Sequence, residues 1–224
     1  MRKSLKLIAA AVALMAVSTF ASAAKIAIIG SGNVATALGP GFAAQGHTIV
    51  YGSRNPGEQK VKDLVAKTGH GATAAAQNDA VKGADIVVLA VPGTAAEQVV
   101  KSLGDLSGKI ILDPTNRVDR NTADGYANYG LASATGSNAE LIQALQPKAH
   151  VVKAFNTLNV KQMVDPASSG GAISIPICGD DAKSREVVAG LVKGMHLEPV
   201  DLGPLRYARV LEEMLVIWAN ARSH

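Results

Sequence analysis

The sequence predicts an α/β fold built on a doubly wound, mostly parallel sheet. Three observations carry that expectation. Short unbroken apolar runs, such as Ile26-Ala27-Ile28-Ile29 and residues 85–91 (DIVVLAV), have the composition of strands buried on both faces. Stretches with helical spacing alternate with them, as in folds whose helices cover both sides of a sheet. The first run also ends in Gly30-Ser31-Gly32-Asn33-Val34-Ala35, a G-x-G-x-x-A turn that opens a helix.

Each residue of that turn has a physical role. Gly30 permits the tight bend, Gly32 lets a pyrophosphate approach the backbone, and Ala35 is small enough for the helix to pack close to the sheet. The helix start offers unpaired N–H groups and the positive end of its dipole to an anion. A second strand over residues 47–51 completes a dinucleotide-binding, Rossmann-type unit. It ends in Tyr51-Gly52-Ser53-Arg54-Asn55, with no carboxylate before Glu58 to accept from a ribose 2′-hydroxyl. Arg54 suits a 2′-phosphate as a charge-assisted fork, and Ser53 can donate a hydroxyl. NADP(H) is therefore expected over NAD(H).

Ahead of this unit, residues 1–23 read as a secretory signal. Arg2, Lys3 and Lys6 form a basic start, residues 7–20 an apolar stretch too short to span a membrane, and Ala21-Ser22-Ala23 a cleavage site. The expectation is a periplasmic or secreted protein; a start near Met15 would instead leave it in the cytoplasm. The formal charge is +4, and the signal carries three basic and no acidic residues, so its removal leaves +1. That balance gives no reason to expect nucleic acid as a partner. Residues 24–224 suit a single NADP-binding domain without a stable membrane span. One cysteine, Cys178, excludes an internal disulfide and any cysteine-based zinc cluster, and no metal site is expected.

The remaining elements follow in order. Gly39-Pro40-Gly41 falls within the first helix, where proline removes a donor and clashes one turn back, so a kink or an end near Leu38 is expected. Residues 61–67 read as a helix and 71–74 as a weak edge strand. Strand 85–91 ends at Ala90-Val91-Pro92, followed by a helix over 95–103. Strand 109–112 ends at Asp113-Pro114-Thr115-Asn116. In doubly wound sheets ligands gather at such carboxyl ends. The polar stretch 117–136, with Tyr126 and Tyr129, is long for a compact domain and so expected to be functional or mobile. Ser137 and Glu140 match a capping box for a helix to Leu145. Strand 150–154 ends at Ala154-Phe155-Asn156-Thr157, strand 173–178 precedes a helix, and 197–202 is the last strand. A terminal helix then carries Leu211, Leu215 and Trp218 at helical spacing, read as core packing, with a homodimer face as the alternative.

Taken together these motifs resemble a family. IGSGNVATAL at 29–38, GSRNP at 52–56, VVKAFNT at 151–157, PICGDD at 176–181 and PVDLGPLRYARVLE at 199–212 are similar to those of NADP oxidoreductases dependent on the deazaflavin coenzyme F-420. The chain likewise resembles the related cytosolic domains of STEAP-type ferric reductases. The resemblance implies NADPH lying along the strand ends, held by Gly30, Ser31, Gly32, Asn33, Val34, Ser53, Arg54, Ala90, Val91, Pro92, Thr115, Asn116 and Ala154. It also implies an acceptor-side site at Phe155, Asn156 and Thr157, with a flavin, a deazaflavin, or a small carbonyl or imine as the redox acceptor. Two departures stand out. Pro92-Gly93-Thr94-Ala95 lacks the bulky side chains expected beside a deazaflavin, and the chain has no membrane helices to hold flavin and haem.

Hydride transfer needs positioning more than a dedicated acid or base, because the cofactor carries the chemistry. The five scattered histidines accordingly read as structural or exposed, and the neighbouring Asp180 and Asp181, and Cys178, as structural. An exported dinucleotide-binding or sensing module without turnover is the alternative function.

Overall fold

The computed structural model describes residues 23–119, 122–129 and 136–223; the signal segment, apart from Ala23, lies outside them. Eight strands form one sheet, in the order β10-β9-β8-β5-β4-β1-β2-β3. The chain begins with β1 (Lys25–Ile29), α1 (Asn33–Ala43), β2 (Thr48–Ser53), α2 (Gln59–Thr68), β3 (Thr73–Ala76) and α3 (Gln77–Ala80). It then reverses direction across the sheet with β4 (Ile86–Leu89), α4 (Ala96–Ser102) and β5 (Ile110–Asp113). This reversal puts a topological switch point between β1 and β4, where doubly wound sheets open a crevice for ligands.

Strand alternation explains how both faces are buried. Ile26 and Ile28 of β1 point into one core with Leu38 and Phe42 of α1 and Val188 and Leu191 of α7 (Ala182–Gly194). Ala27 and Ile29 point to the opposite core, with Val100 of α4, Ile142 of α5 (Asn138–Leu145) and Leu211 of α8 (Ala208–Ser223). Side chains on successive strand residues leave on opposite faces, so an all-apolar run is what a two-sided sheet requires.

Of the kink or end expected near Leu38, the end does not occur: α1 continues through Pro40 to Ala43. The proline penalty of about 3 kcal/mol is outweighed by burial of Leu38 and Phe42, each worth about 1.5–3 kcal/mol, and both have no exposed surface. The flanking glycines also gain a packing explanation. A Cβ on Gly39 would lie 1.8 Å from the Tyr51 hydroxyl, so glycine lets the helix rest directly on β2.

Strand β3 falls two residues later than expected, and the short α3 was not anticipated. The long polar stretch contains a small antiparallel ladder of β6 (Val118–Asp119) and β7 (Asn128–Tyr129). The helix at Ser137 has its expected capping box, and Arg209 of α8 pairs with Glu140 at 2.7 Å.

The sheet is parallel except between β8 (His150–Lys153) and β9 (Ser174–Gly179), which pair only through Val152↔Gly179 and Lys153↔Cys178. A parallel connection needs a segment that returns along the full strand. The intervening α6 (Val160–Val164) has five residues, about 7.5 Å of rise, and is too short for that. From the register, residues 174–177 of β9 therefore extend beyond the carboxyl end of β8. The thirteen-residue α7 does make a crossover, and β10 (Glu198–Asp201) runs parallel to β9.

Candidate functional site

A cleft of about 930 Å³ opens at the carboxyl ends of β1, β2 and β4, lined by Gly30, Ser31, Gly32, Ser53, Arg54 and the Ala90-Val91-Pro92 wall among others. Gly30 shapes its floor. Its φ is +113°, and a Cβ there would sit 2.2 Å from the Ala90 carbonyl oxygen, while its N–H donates to Gly52 O at 2.9 Å. Gly32 is different: it has no atom within 4 Å of where a Cβ would be, and it caps α1 without any side-chain hydrogen bond. The first-turn N–H groups of the helix, beginning at exposed Asn33, thus face open space beside the cleft. An open position above a bare helix start fits a pyrophosphate.

At the other end of the cleft, Arg54 is exposed and pairs with no carboxylate among the described residues. The nearby Glu58 is engaged by Lys60 at 3.8 Å. Ser53 is buried, and its Oγ accepts from Asn55 N at 3.1 Å, which leaves its hydroxyl proton free to donate. One guanidinium and one hydroxyl therefore stand together at the end of β2.

A second cavity of about 350 Å³ lies beyond β5 and β8, walled by Val34, Asn116, Phe155, Asn156, Thr157 and Trp218 among others. Phe155 is buried and holds φ +63°, a left-handed conformation rare for a bulky residue and costing about 1–3 kcal/mol. Its ring meets Phe42 edge-on, with centroids 6.2 Å apart, which holds it there. Asn116 and Asn156 clasp each other: Asn116 Nδ2 donates to Asn156 O at 3.0 Å, and Asn156 Nδ2 donates to Asn116 Oδ1 at 2.9 Å. Asn156 Nδ2 also donates to Leu211 O at 2.9 Å, which fixes the amide orientation and leaves its buried Oδ1 without a partner. Leu215 and Trp218 line this cavity, and Trp218 is 47% exposed. This corrects their expected role as core packing; of that stripe Leu211 alone is buried.

Beneath this wall lies a charge cluster that sequence reasoning missed. Lys153 is fully buried, and its Nζ donates to Asp113 Oδ2 and to Thr115 O, each at 2.6 Å. It also approaches Glu212 Oε1 of α8 to 2.7 Å. Burial alone would lower the lysine pKa; the Asp113 and Glu212 carboxylates outweigh it and hold Lys153 above its ordinary value. A charged residue inside the apolar run VVKAF was the available signal, because buried charges require partners.

Thr115 and Ala154, expected at the cofactor, line neither cavity. Thr115 is buried, with its N–H on Asp113 Oδ1 and its Oγ1 accepting from Asn138 Nδ2. Ala154 is buried in the core beside Phe155. Exposed Tyr126 is not among the residues of the acceptor-end cavity.

Of the histidines, His70, His150 and His196 are exposed and His47 is not, while Asp180, Asp181 and Cys178 have structural surroundings. His47 is buried, accepts from Ala24 N at 3.1 Å, and has its pKa lowered by that burial. Asp181 caps α7 through Ser184 N, and Asp180 accepts from Leu205 N. Cys178 is buried, and desolvation pushes its thiol pKa up to about 12. No cluster of three or more metal-ligating side chains occurs among the described residues, and none of their helices is long and apolar enough to cross a membrane.

Comparison with known proteins agrees with this architecture. Residues 25–117 match the family model described as NADP oxidoreductase, coenzyme F420-dependent. Rat Metalloreductase STEAP3 is 28% identical over 190 residues, covering 85% of this chain but 36% of its own length. The chain thus spans about a third of these curated metalloreductase relatives. The F420-dependent NADP reductase of Methanothermobacter thermautotrophicus is 25% identical over 207 residues, covering 88% of each chain. Among solved structures, a presumed F420-dependent NADP reductase from Arthrobacter sp. FB24 superposes with a TM-score of 0.81 at 32% identity, covering 89% of this chain and 94% of its own. At that identity and coverage of both chains, the chain belongs to the family of coenzyme F420-dependent NADP oxidoreductases.

Proposed function

We propose that this chain transfers hydride between NADP(H) and a flavin- or deazaflavin-like ring, or a small imine or carbonyl, seated against Asn116, Phe155, Asn156 and Thr157. The observation that carries the reading is the pair of cavities joined by one turn. Gly30, Ser31 and Gly32 line the larger cavity, and Val34, two residues on, lines the smaller. A dinucleotide anchored at Arg54 and Gly32 would direct its far end toward Val34. When bound, the nucleotide supplies the hydride; the chain supplies binding and orientation.

The lining of the smaller cavity bears on the acceptor. Among the described residues its lining includes asparagines, a glutamine and a threonine, but no Asp, Glu, His, Lys, Cys or Tyr. A carbonyl reduced to an alkoxide needs a proton donor in the transition state. A flavin-like ring spreads the incoming charge itself, and an already protonated imine needs none. The absence of a titratable wall thus favours these two over a carbonyl.

The test is NADPH oxidation by the full chain with FMN, coenzyme F420 and a cyclic imine as separate acceptors. Binding to the smaller cavity is read independently by quenching of the single tryptophan, Trp218. Asn156→Ala is expected to lower turnover at least tenfold while NADPH affinity stays within twofold. NADPH binding with no turnover of any acceptor would favour a sensing module, and equal turnover by Asn156→Ala would refute the site.

A further inference from the structure

We propose that Lys153, Asp113 and Glu212 act as positioning residues for the acceptor cavity, fixing the 115–117 backbone so that Asn116 meets Asn156 at its wall. The inference rests on the functional reading above and names what holds that site in shape. Three elements converge on the cluster: β5 supplies Asp113, β8 supplies Lys153 and α8 supplies Glu212.

The bonding shows what the cluster does. Lys153 Nζ donates hydrogen bonds to Asp113 Oδ2 and Thr115 O and forms an ion pair at 2.7 Å with Glu212 Oε1, a buried oxygen that accepts no hydrogen bond. It is fully buried and lines neither cavity, so it is not a catalytic acid. The carboxylate oxygens facing away from the lysine bind backbone. Asp113 Oδ1 accepts from Thr115 N at 2.9 Å, while Glu212 Oε2 accepts from Arg117 N at 3.0 Å and Asn138 N at 3.2 Å.

Thr115 is therefore held by both its N–H and its carbonyl, and Arg117 by its N–H. Asn116 stands between them. Its carbonyl oxygen would lie 1.8 Å from a Cβ on Gly93, so it packs directly against the backbone that follows Pro92. Its side chain faces Asn156 across the acceptor cavity. A buried ion cluster serving stability alone can often be replaced by apolar side chains without loss. Here the replacement would also release three backbone N–H groups and one carbonyl, all on the segments around the site.

Glu212→Gln in the full chain tests this. A carboxamide has one accepting oxygen, so either Lys153 or the Arg117 and Asn138 N–H groups must face its NH₂. Three quantities are measured: NADPH affinity, kcat and KM for FMN, and amide exchange at Arg117 and Asn138. The expected result is a KM for FMN raised at least fivefold with a lower kcat, NADPH affinity within twofold, and faster exchange at both amides. Leu106→Ala, a buried core change in the loop before β5, should lower Tm while leaving the KM for FMN unchanged.

An unchanged KM, or a kcat that falls only with the folded fraction, overturns the proposal. If the variant does not fold, wild-type exchange decides. Arg117 and Asn138 protected as strongly as β5 supports the clamp, and exchange as fast as in exposed loops refutes it. If the wild type turns over none of the acceptors, the functional reading fails separately. FMN affinity from Trp218 quenching, weakened at least fivefold by Glu212→Gln, then tests the positioning role, and unchanged affinity overturns it.

Discussion

Gly30 and Gly32 lie two residues apart in one motif, yet the structure assigns them opposite sensitivities to a single methyl group. At Gly32 the backbone has φ −86°, ordinary for any residue, and a Cβ would meet no atom within 4 Å. Alanine there reduces the freedom of the unfolded chain, worth about 0.4–1 kcal/mol. It also replaces a tolerated helix cap with a poor one, at a similar cost of about 0.5–1 kcal/mol. The two nearly cancel, so Gly32→Ala should change stability by less than about 1 kcal/mol. The methyl nevertheless projects into the space where a pyrophosphate would meet the helix start, and NADPH affinity should fall at least tenfold, about 1.4 kcal/mol. Gly30→Ala combines the φ of +113° with a 2.2 Å approach to Ala90 O. Strain of about 1–3 kcal/mol plus a displaced carbonyl should lower stability by about 3 kcal/mol and Tm by roughly 6–12 °C. Guanidinium unfolding followed by circular dichroism gives the stabilities, and fluorescence titration gives the NADPH affinities. A Gly32→Ala protein that loses about 3 kcal/mol while binding NADPH as wild type would refute the reasoning, because the glycine would then serve packing and not the ligand.

Arg54→Ala should weaken NADPH roughly 10- to 100-fold, since a hydrogen bond to a charged group is worth about 1.5–3 kcal/mol, and leave NADH affinity within twofold; parallel titrations that show equal losses would count against a 2′-phosphate site. Cys178 should resist a disulfide reagent at pH 8 in the folded protein and react fully in denaturant. Its raised pKa means the fold favours the protonated thiol. That contribution is complete below about pH 9, the thiol's ordinary value, and is lost as the pH rises toward about 12. Export is tested by fractionating cells that express the full chain. A periplasmic product lacking residues 1–23 is the expected outcome, and a full-length cytoplasmic product would show that Arg2, Lys3 and Lys6 do not begin a signal.

What could be read from the sequence was what neighbouring residues decide. The apolar run before Gly30, the glycine turn and the Ser53-Arg54 strand end each depend on positions a few residues apart, where backbone dihedrals and side-chain size act directly. Six further strands were legible for the same reason, although β3 was placed two residues early because TAAA has little intrinsic strand character. Pro40 misled because its cost is local, whereas the burial of Leu38 and Phe42 that outweighs it is not. The antiparallel β9 depended on α6 being too short to return along the sheet. Trp218 faces a cavity because α8 crosses the carboxyl ends of β5 and β8, which helical spacing alone does not reveal. Lys153, Asp113 and Glu212 lie on three separate elements, with 40 residues between the first two. Sequence could mark each as a charge in an apolar context. Only tertiary packing chose their partners, because low-dielectric burial makes a charge's stability depend on which oxygens and protons the fold brings within about 3 Å.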